Sequence, residues 1–198
     1  MKSLMHEMGN RALELGIPLG VQLDLTYRCN ERCVHCYLDH EDHGEMTTAE
    51  IVGLLRQLAD AGVFFLTLSG GEIFMRPDFF EILEEARRLT FSVKLKTNAV
   101  MVRPARARRI AQLGVESVQI SVYSHKEETH DAITKLPGSL RRTLEGARML
   151  RDEGVKVSFA NVLMKHNSGD YPEVKALAES LGIEYKSCLL YTSDAADE

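Results

Sequence analysis

Strand-like and helix-like segments take turns along this chain from Val21 to Lys186, and that alternation confines it to a narrow set of folds. Val21–Thr26 (VQLDLT) alternates apolar and polar residues with the period of a strand. Thr47 to Glu50 (TTAE) reads as a capping box. It opens a helix that sets Ile51, Leu54, Leu55 and Leu58 at helical spacing and stops near Gly62. Further strands are predicted at Phe64–Ser69, Ser92–Thr97, Ser117–Val122, Lys156–Val162 and Ile183–Lys186. Helices are predicted from Asp78, from Pro104 to near Gly114, at Lys126–Ile133, at Ser139–Glu153 and at Asp170–Leu181. Repeated strand-helix alternation of this kind gives an α/β fold with a parallel sheet. The alternation alone does not choose between an open sheet and a barrel.

The strands carry a second pattern. Parallel strands buried on both faces usually read as continuous apolar runs. Here a polar set recurs: Gln22, Asp24 and Thr26; Thr67 and Ser69; Lys94, Lys96 and Thr97; Gln119 and Ser121. The interleaved set is apolar: Val21, Leu23, Leu25; Phe64, Leu66, Leu68; Val93, Leu95; Val118, Ile120, Val122. The apolar set would face helices and the polar set a wet or functional interior. A closed barrel packs its lumen with branched side chains. A polar lumen therefore predicts an open or partial barrel around a polar ligand, with a sheet solvated on one face as the alternative.

Composition sets the outer bounds. With 198 residues and 44% hydrophobic content, the chain is long and apolar enough for one well-buried domain. No apolar run approaches the ~20 residues of a membrane span. The start, MKSLMHEMGN, lacks the apolar centre of a secretory signal, so a cytoplasmic setting is expected. The net charge is −5 without a basic stripe, which argues against a nucleic-acid partner. Residues 1–18 read as a helical lead-in and 19–187 as one core domain. The last eleven residues, from Cys188 to Glu198, resemble translated sequencing-adapter read-through and are expected to be a non-native tail on a truncated chain. Without them, every remaining cysteine falls in one short motif.

That motif is CNERCVHC, with Cys29, Cys33 and Cys36 inside eight residues. Structural zinc would need a fourth ligand, for which His35, His40 or His43 is available, but no second Cys or His pair follows at finger-like spacing. Haem attachment fails because Tyr37, not histidine, follows Cys36. A dithiol redox pair leaves one cysteine over. A [4Fe–4S] cluster held by three thiolates leaves one iron open, as a catalytic centre requires.

The C-x3-C-x2-C spacing on a loop straight after a first strand resembles the radical S-adenosylmethionine (SAM) superfamily, over roughly residues 19–186. The resemblance implies a partial (β/α)6 TIM-like barrel with parallel strands. It implies that Cys29, Cys33 and Cys36 bind a [4Fe–4S] cluster and that the open iron chelates the amino and carboxylate groups of SAM. It implies reductive cleavage of SAM to a 5′-deoxyadenosyl radical, fed by an external one-electron reductant of flavodoxin or ferredoxin type. Gly70, Gly71 and Glu72 match the family's GGE motif, which holds the methionine amino group; Asn98, in Thr97-Asn98-Ala99, would lie near the cofactor. Relatives commonly have Thr-Asn-Gly there. Ser121 matches a serine that reaches the cofactor. An arginine that pairs with the carboxylate in many relatives is replaced by Thr134, leaving Lys135 as the neighbouring cation. His35 would set its backbone against adenine, and Leu163 would line the same group. Asn161 is expected with the others at the C-terminal ends of the strands.

Three segments, CNERCVHCY, LTLSGGE and SVYSHKEETHDAITKLPGS, resemble most the branch with cysteine-rich C-terminal SPASM or related domains. Members of that branch modify peptides or proteins, and similar enzymes act on tetrapyrroles in haem biosynthesis. A peptide substrate is expected. A small molecule or tetrapyrrole is the first alternative, and a zinc-binding α/β module without radical chemistry the second.

Overall fold

Six strands, β1 (Gly20–Asp24), β2 (Phe65–Ser69), β3 (Ser92–Thr97), β4 (Ser117–Ser121), β5 (Val157–Leu163) and β6 (Glu184–Leu189), form one sheet in the order 1-2-3-4-5-6. Every neighbouring pair is parallel. This computed structural model describes residues 4–189. Helix α1 (Leu4–Leu15) precedes the sheet. Helices α2 (Thr48–Asp60), α3 (Phe79–Arg88), α4 (Pro104–Leu113), α5 (Glu127–Thr134), α6 (Ser139–Asp152) and α7 (Tyr171–Ser180) lie on the crossovers.

The local signals act as the sequence predicts in most places. Thr47 Oγ1 accepts from Glu50 N, and the Glu50 carboxylate accepts from Thr47 N at 2.7 Å, completing the capping box. Gly114 ends α4 in the left-handed conformation. Asp78 differs, because it makes no cap hydrogen bond to α3. Its carboxylate is taken by Arg76 at 2.6 Å and by Thr48 Oγ1 at 2.7 Å.

Register explains the two side-chain sets. Gln22 pairs with Thr67 and Thr67 with Lys94; Asp24 pairs with Ser69; Lys96 pairs with Gln119 and Gln119 with Ser158. These rows share the inner face. Leu23, Leu68, Leu95, Val118 and Val157 form a row on the opposite face, which packs against the helices in one core with Ile51, Leu55, Ile82, Ile110 and Leu150. Thr97 belongs to this outer face and is buried, which corrects its placement in the polar set. Gln22 of β1 and Cys188 of β6 line one cavity, and Lys96 Nζ reaches Gln22 Oε1 at 2.7 Å. The sheet therefore curls its polar face inward, with β1 and β6 as edges.

Strand β6 runs past the predicted end at Lys186 to Leu189, pairing Cys188 with Val162. The rest of the expected tail, residues 190–198, lies outside the described residues.

Candidate active site

The cysteine loop is anchored from both sides. On one side, backbone bonds continue the β1–β2 pairing beyond the strands: Leu25 N to Ser69 O (2.9 Å), Gly71 N to Thr26 O (2.7 Å) and Glu72 N to Arg28 O (2.9 Å). Only glycine fits this zipper. A Cβ on Gly70, whose φ is +126°, would sit 2.4 Å from Thr26 O, and one on Gly71 would sit 2.3 Å from Arg28 O. On the other side, Arg32 N and Val34 N donate to Thr134 O and Ile133 O, both at 2.9 Å. Those carbonyls end α5 and would otherwise lack partners.

A buried cation latches the base of the loop. Arg76 donates to Leu25 O (3.0 Å) and Met46 O (3.1 Å) and pairs with Asp78, and Glu45 joins Thr26 Oγ1 to Arg28. The sequence reading missed Arg76. The only sequence signal for it is an arginine four residues after Glu72, in Arg76-Pro77-Asp78.

All three thiols line one cleft of about 440 Å³, with His35, Gly70, Gly71, Asn98 and Ser121. That volume suits a small-molecule cofactor. Burial pushes the Cys29 thiol up to about 11 and the Cys33 thiol further still. Removal from water thus disfavours the free thiolates, a cost that bound iron cations remove. Burial also raises the Glu31 carboxyl to about 7; its Oε2 receives the Cys33 thiol at 3.5 Å. Asn30 Nδ2, Glu31 Oε1, His35 Nδ1 and His40 Nδ1 are buried here without partners. Among the described residues, no three His, Cys, Asp or Glu side chains surround a single point where one ion would sit. A cubane asks for something different, one thiolate on each of three irons. Orphaned polar atoms beside three cysteine thiols, with Cys29 and Cys33 desolvated, fit such a group.

The other predicted residues divide. Asn98 Nδ2 donates to Asn30 Oδ1 at 2.9 Å and lies 3.8 Å from Cys29 Sγ, tying the β3 turn to the cysteine loop. The Glu72 carboxylate is fully buried and does not line the cleft. It accepts from Thr97 Oγ1 (2.8 Å), Asn98 N (2.9 Å) and Phe74 N (3.2 Å), so it shapes the turn from behind. Lys135 ends α5 in the left-handed conformation and faces a different hollow with Val34 and His166. Leu163 does not line the cleft; its neighbour Val162 does, because successive strand residues face opposite ways. Asn161 lies inside β5, fully buried, with Asn167 Nδ2 3.5 Å from its Oδ1. His43 pairs with Asp39 at 2.6 Å and lies apart from the cysteines in a second hollow beside Tyr27. Lys96, Gln22 and Tyr123 also line the cleft and were not named from the sequence as cofactor contacts.

The family model described as Radical SAM superfamily matches residues 23–178. The chain belongs to the radical SAM superfamily. That superfamily uses a [4Fe–4S] cluster and SAM. Among curated relatives, pre-heme d1 synthase of Dinoroseobacter shibae is 34% identical over 85% of this chain and 43% of its own length. Mycofactocin maturase MftC of Mycobacterium ulcerans is 32% identical over 85% of this chain and 46% of its own. The chain thus spans under half of either relative. Streptococcus suis SuiB bound to its precursor peptide SuiA superposes with a TM-score of 0.80 at 18% identity, covering 94% of this chain and 43% of that one. This likeness supports the partial-barrel fold. Among the described residues no helix is long and apolar enough to cross a membrane.

Proposed function

We propose that this chain is the catalytic core of a radical SAM enzyme that modifies a peptide or protein. The observation that carries the reading is the convergence of Cys29, Cys33 and Cys36 on one cleft with the Gly70–Gly71 turn and Asn98. Together the cluster and SAM supply a 5′-deoxyadenosyl radical for hydrogen abstraction when both are bound. Cys29, Cys33 and Cys36 would each hold one iron and leave the fourth to the cofactor's amino and carboxylate groups. The glycine turn lets backbone approach the methionyl end without a Cβ in the way. Asn98, Ser121 and the backbone of His35 complete the cofactor contacts, and Glu72 sets the turn that presents Asn98. The curled polar face offers hydrogen-bonding groups to the cofactor and substrate, while the cleft walls limit water around a reactive radical.

A peptide substrate is favoured by MftC, by SuiB with its precursor peptide, and by the resemblance to the SPASM-bearing branch. A tetrapyrrole substrate is the second reading, supported by the pre-heme d1 synthase relative. A cytoplasmic setting and a flavodoxin- or ferredoxin-type electron donor complete the proposal.

Anaerobic reconstitution with iron and sulfide tests it. About four irons per chain, a broad absorption in the visible and reductive release of 5′-deoxyadenosine and methionine are expected. One tightly held zinc and no SAM cleavage would overturn the reading. Deuterium transfer from labelled peptide or labelled tetrapyrrole into 5′-deoxyadenosine separates the two substrate classes.

A further inference from the structure

Tyr123 stands just past β4, and nearly everything about it except the end of its ring is fixed from behind. Its backbone N–H donates to His130 Nδ1 at 3.2 Å, and its carbonyl accepts from Asn167 Nδ2 at 2.8 Å. Its ring lies 5.5 Å from the ring of His130 on one side and meets His35 edge-on at 4.8 Å on the other. His130 is buried, on the α5 turn preceding the Ile133 and Thr134 carbonyls that anchor the cysteine loop. Because His130 Nδ1 accepts, its proton sits on Nε2, which fixes the neutral tautomer. Tyr123 is 5% exposed, and what it exposes lines the thiol cleft. Ser121 and Cys33 line the same cleft beside the phenol, and both act on its acidity.

A phenol so placed has one free donor and one strong acceptor ahead of it. We propose that Tyr123 is a positioning residue that donates a hydrogen bond to the cluster-bound Cys33 sulfur, raises the cluster's reduction potential and fixes the rotamer of that ligand. The inference rests on the [4Fe–4S] reading above. The physical basis is general: a donor to a ligand sulfur stabilises the more negative, reduced cluster. Packing in the His35–Tyr123–His130 column keeps the ring from turning away, so the bond is preorganised.

The test uses the reconstituted full chain and reads spectra and potential rather than turnover. Tyr123→Phe removes the donor and keeps the ring. It is expected to retain its iron, to shift the midpoint potential in the negative direction and to alter the Fe–S(Cys) stretching bands in resonance Raman spectra. Replacing Tyr123 with 2,3-difluorotyrosine makes the phenol a stronger donor and is expected to shift the potential the opposite way. If Tyr123→Phe fails to take up iron, the fluorotyrosine protein decides: a positive shift supports the proposal and an unmoved potential overturns it. An unmoved potential and unchanged Raman bands in an iron-replete Tyr123→Phe protein overturn it as well. Failure of the unsubstituted chain to bind a cluster would instead overturn the functional reading, and this inference with it.

Discussion

The Gly70–Glu72 turn and the Cys29–Cys36 loop face each other across one cleft, and their polar groups fare differently. On the turn side, Glu72 binds Thr97 and Asn98 N, Thr97 Oγ1 accepts from Ala99 N, and Asn98 O accepts from Thr143 Oγ1. On the loop side, Asn30, Glu31, His35 and His40 each keep a buried polar atom without a partner. One wall is completed by the protein itself. The other has donors, acceptors and thiols whose balance a bound group would close. Substitutions on the turn should therefore act on folding, and substitutions on the loop on what the protein binds.

The largest effect expected is on the loop. Replacing Cys29, Cys33 or Cys36 by alanine removes one iron ligand of three and should abolish stable cluster uptake, with iron falling from about four per chain to near zero. The cluster-free melt should move by less than about 1 kcal/mol, because the thiols contribute little packing. Iron analysis and a thermal melt on the same samples check both halves. A large loss of cluster-free stability would mean the loop is as structural as the turn.

The turn should give the reverse result. Gly71→Ala places a methyl 2.3 Å from Arg28 O, a backbone atom that cannot rotate aside. Separating the two segments should cost about 3 kcal/mol or more, whether or not iron is present. Chemical denaturation of the cluster-free chain measures it. A variant of ordinary stability that merely binds SAM poorly would contradict the division drawn here.

A third measurement concerns what braces the loop from behind. Burial lowers the His130 pKa from 6.5 to about 4. Between those values the unfolded chain binds the proton and the folded chain does not. The stability linked to this burial is therefore fully present above pH 6.5 and lost as pH falls toward 4, by about 3 kcal/mol at most. His130→Gln should flatten that part of the stability profile relative to the unsubstituted chain. Parallel acid limbs in the two proteins would show that His130 takes no part in it.

The sheet and the three cysteines were legible because both are written in local signals: period-two alternation, capping residues, and three ligands inside eight residues. What stayed hidden depended on direction and long-range contact. The phase of β5 decides that Val162 and not Leu163 faces the cleft, and a strand without a clear polar set does not announce its phase. The contacts of Glu72 with Thr97 and Asn98, some twenty-five residues on, cannot be read from the GGE turn alone. Arg76 shows in sequence only as an arginine soon after the GGE turn, and its role follows from Leu25 O and Met46 O converging on it. Lys135, proposed from the sequence as a cofactor cation, ends α5 in the left-handed conformation and lines a separate hollow with Val34 and His166.

The smallest effect expected lies at the end of the β3 turn. Ala99 has a φ of +60°, in the left-handed region that glycine occupies without strain. The strain it carries is about 1 kcal/mol. Ala99→Gly would release that, but would also remove a fully buried methyl and loosen the unfolded chain, each worth about 0.5–1 kcal/mol. The terms nearly cancel, so the substitution should shift stability by less than about 1 kcal/mol. The partner residue behaves otherwise. A Cβ on Gly146 of α6 would meet Ala99 O at 2.4 Å as well as Ala99 Cβ at 3.2 Å. Gly146→Ala should thus be strongly destabilising, and adding Ala99→Gly should not rescue it, because the carbonyl remains in place. A double-mutant cycle by denaturation measures this. Rescue by Ala99→Gly would show that the turn can move off α6, and that the completed wall of the cleft is less rigid than its hydrogen bonds imply.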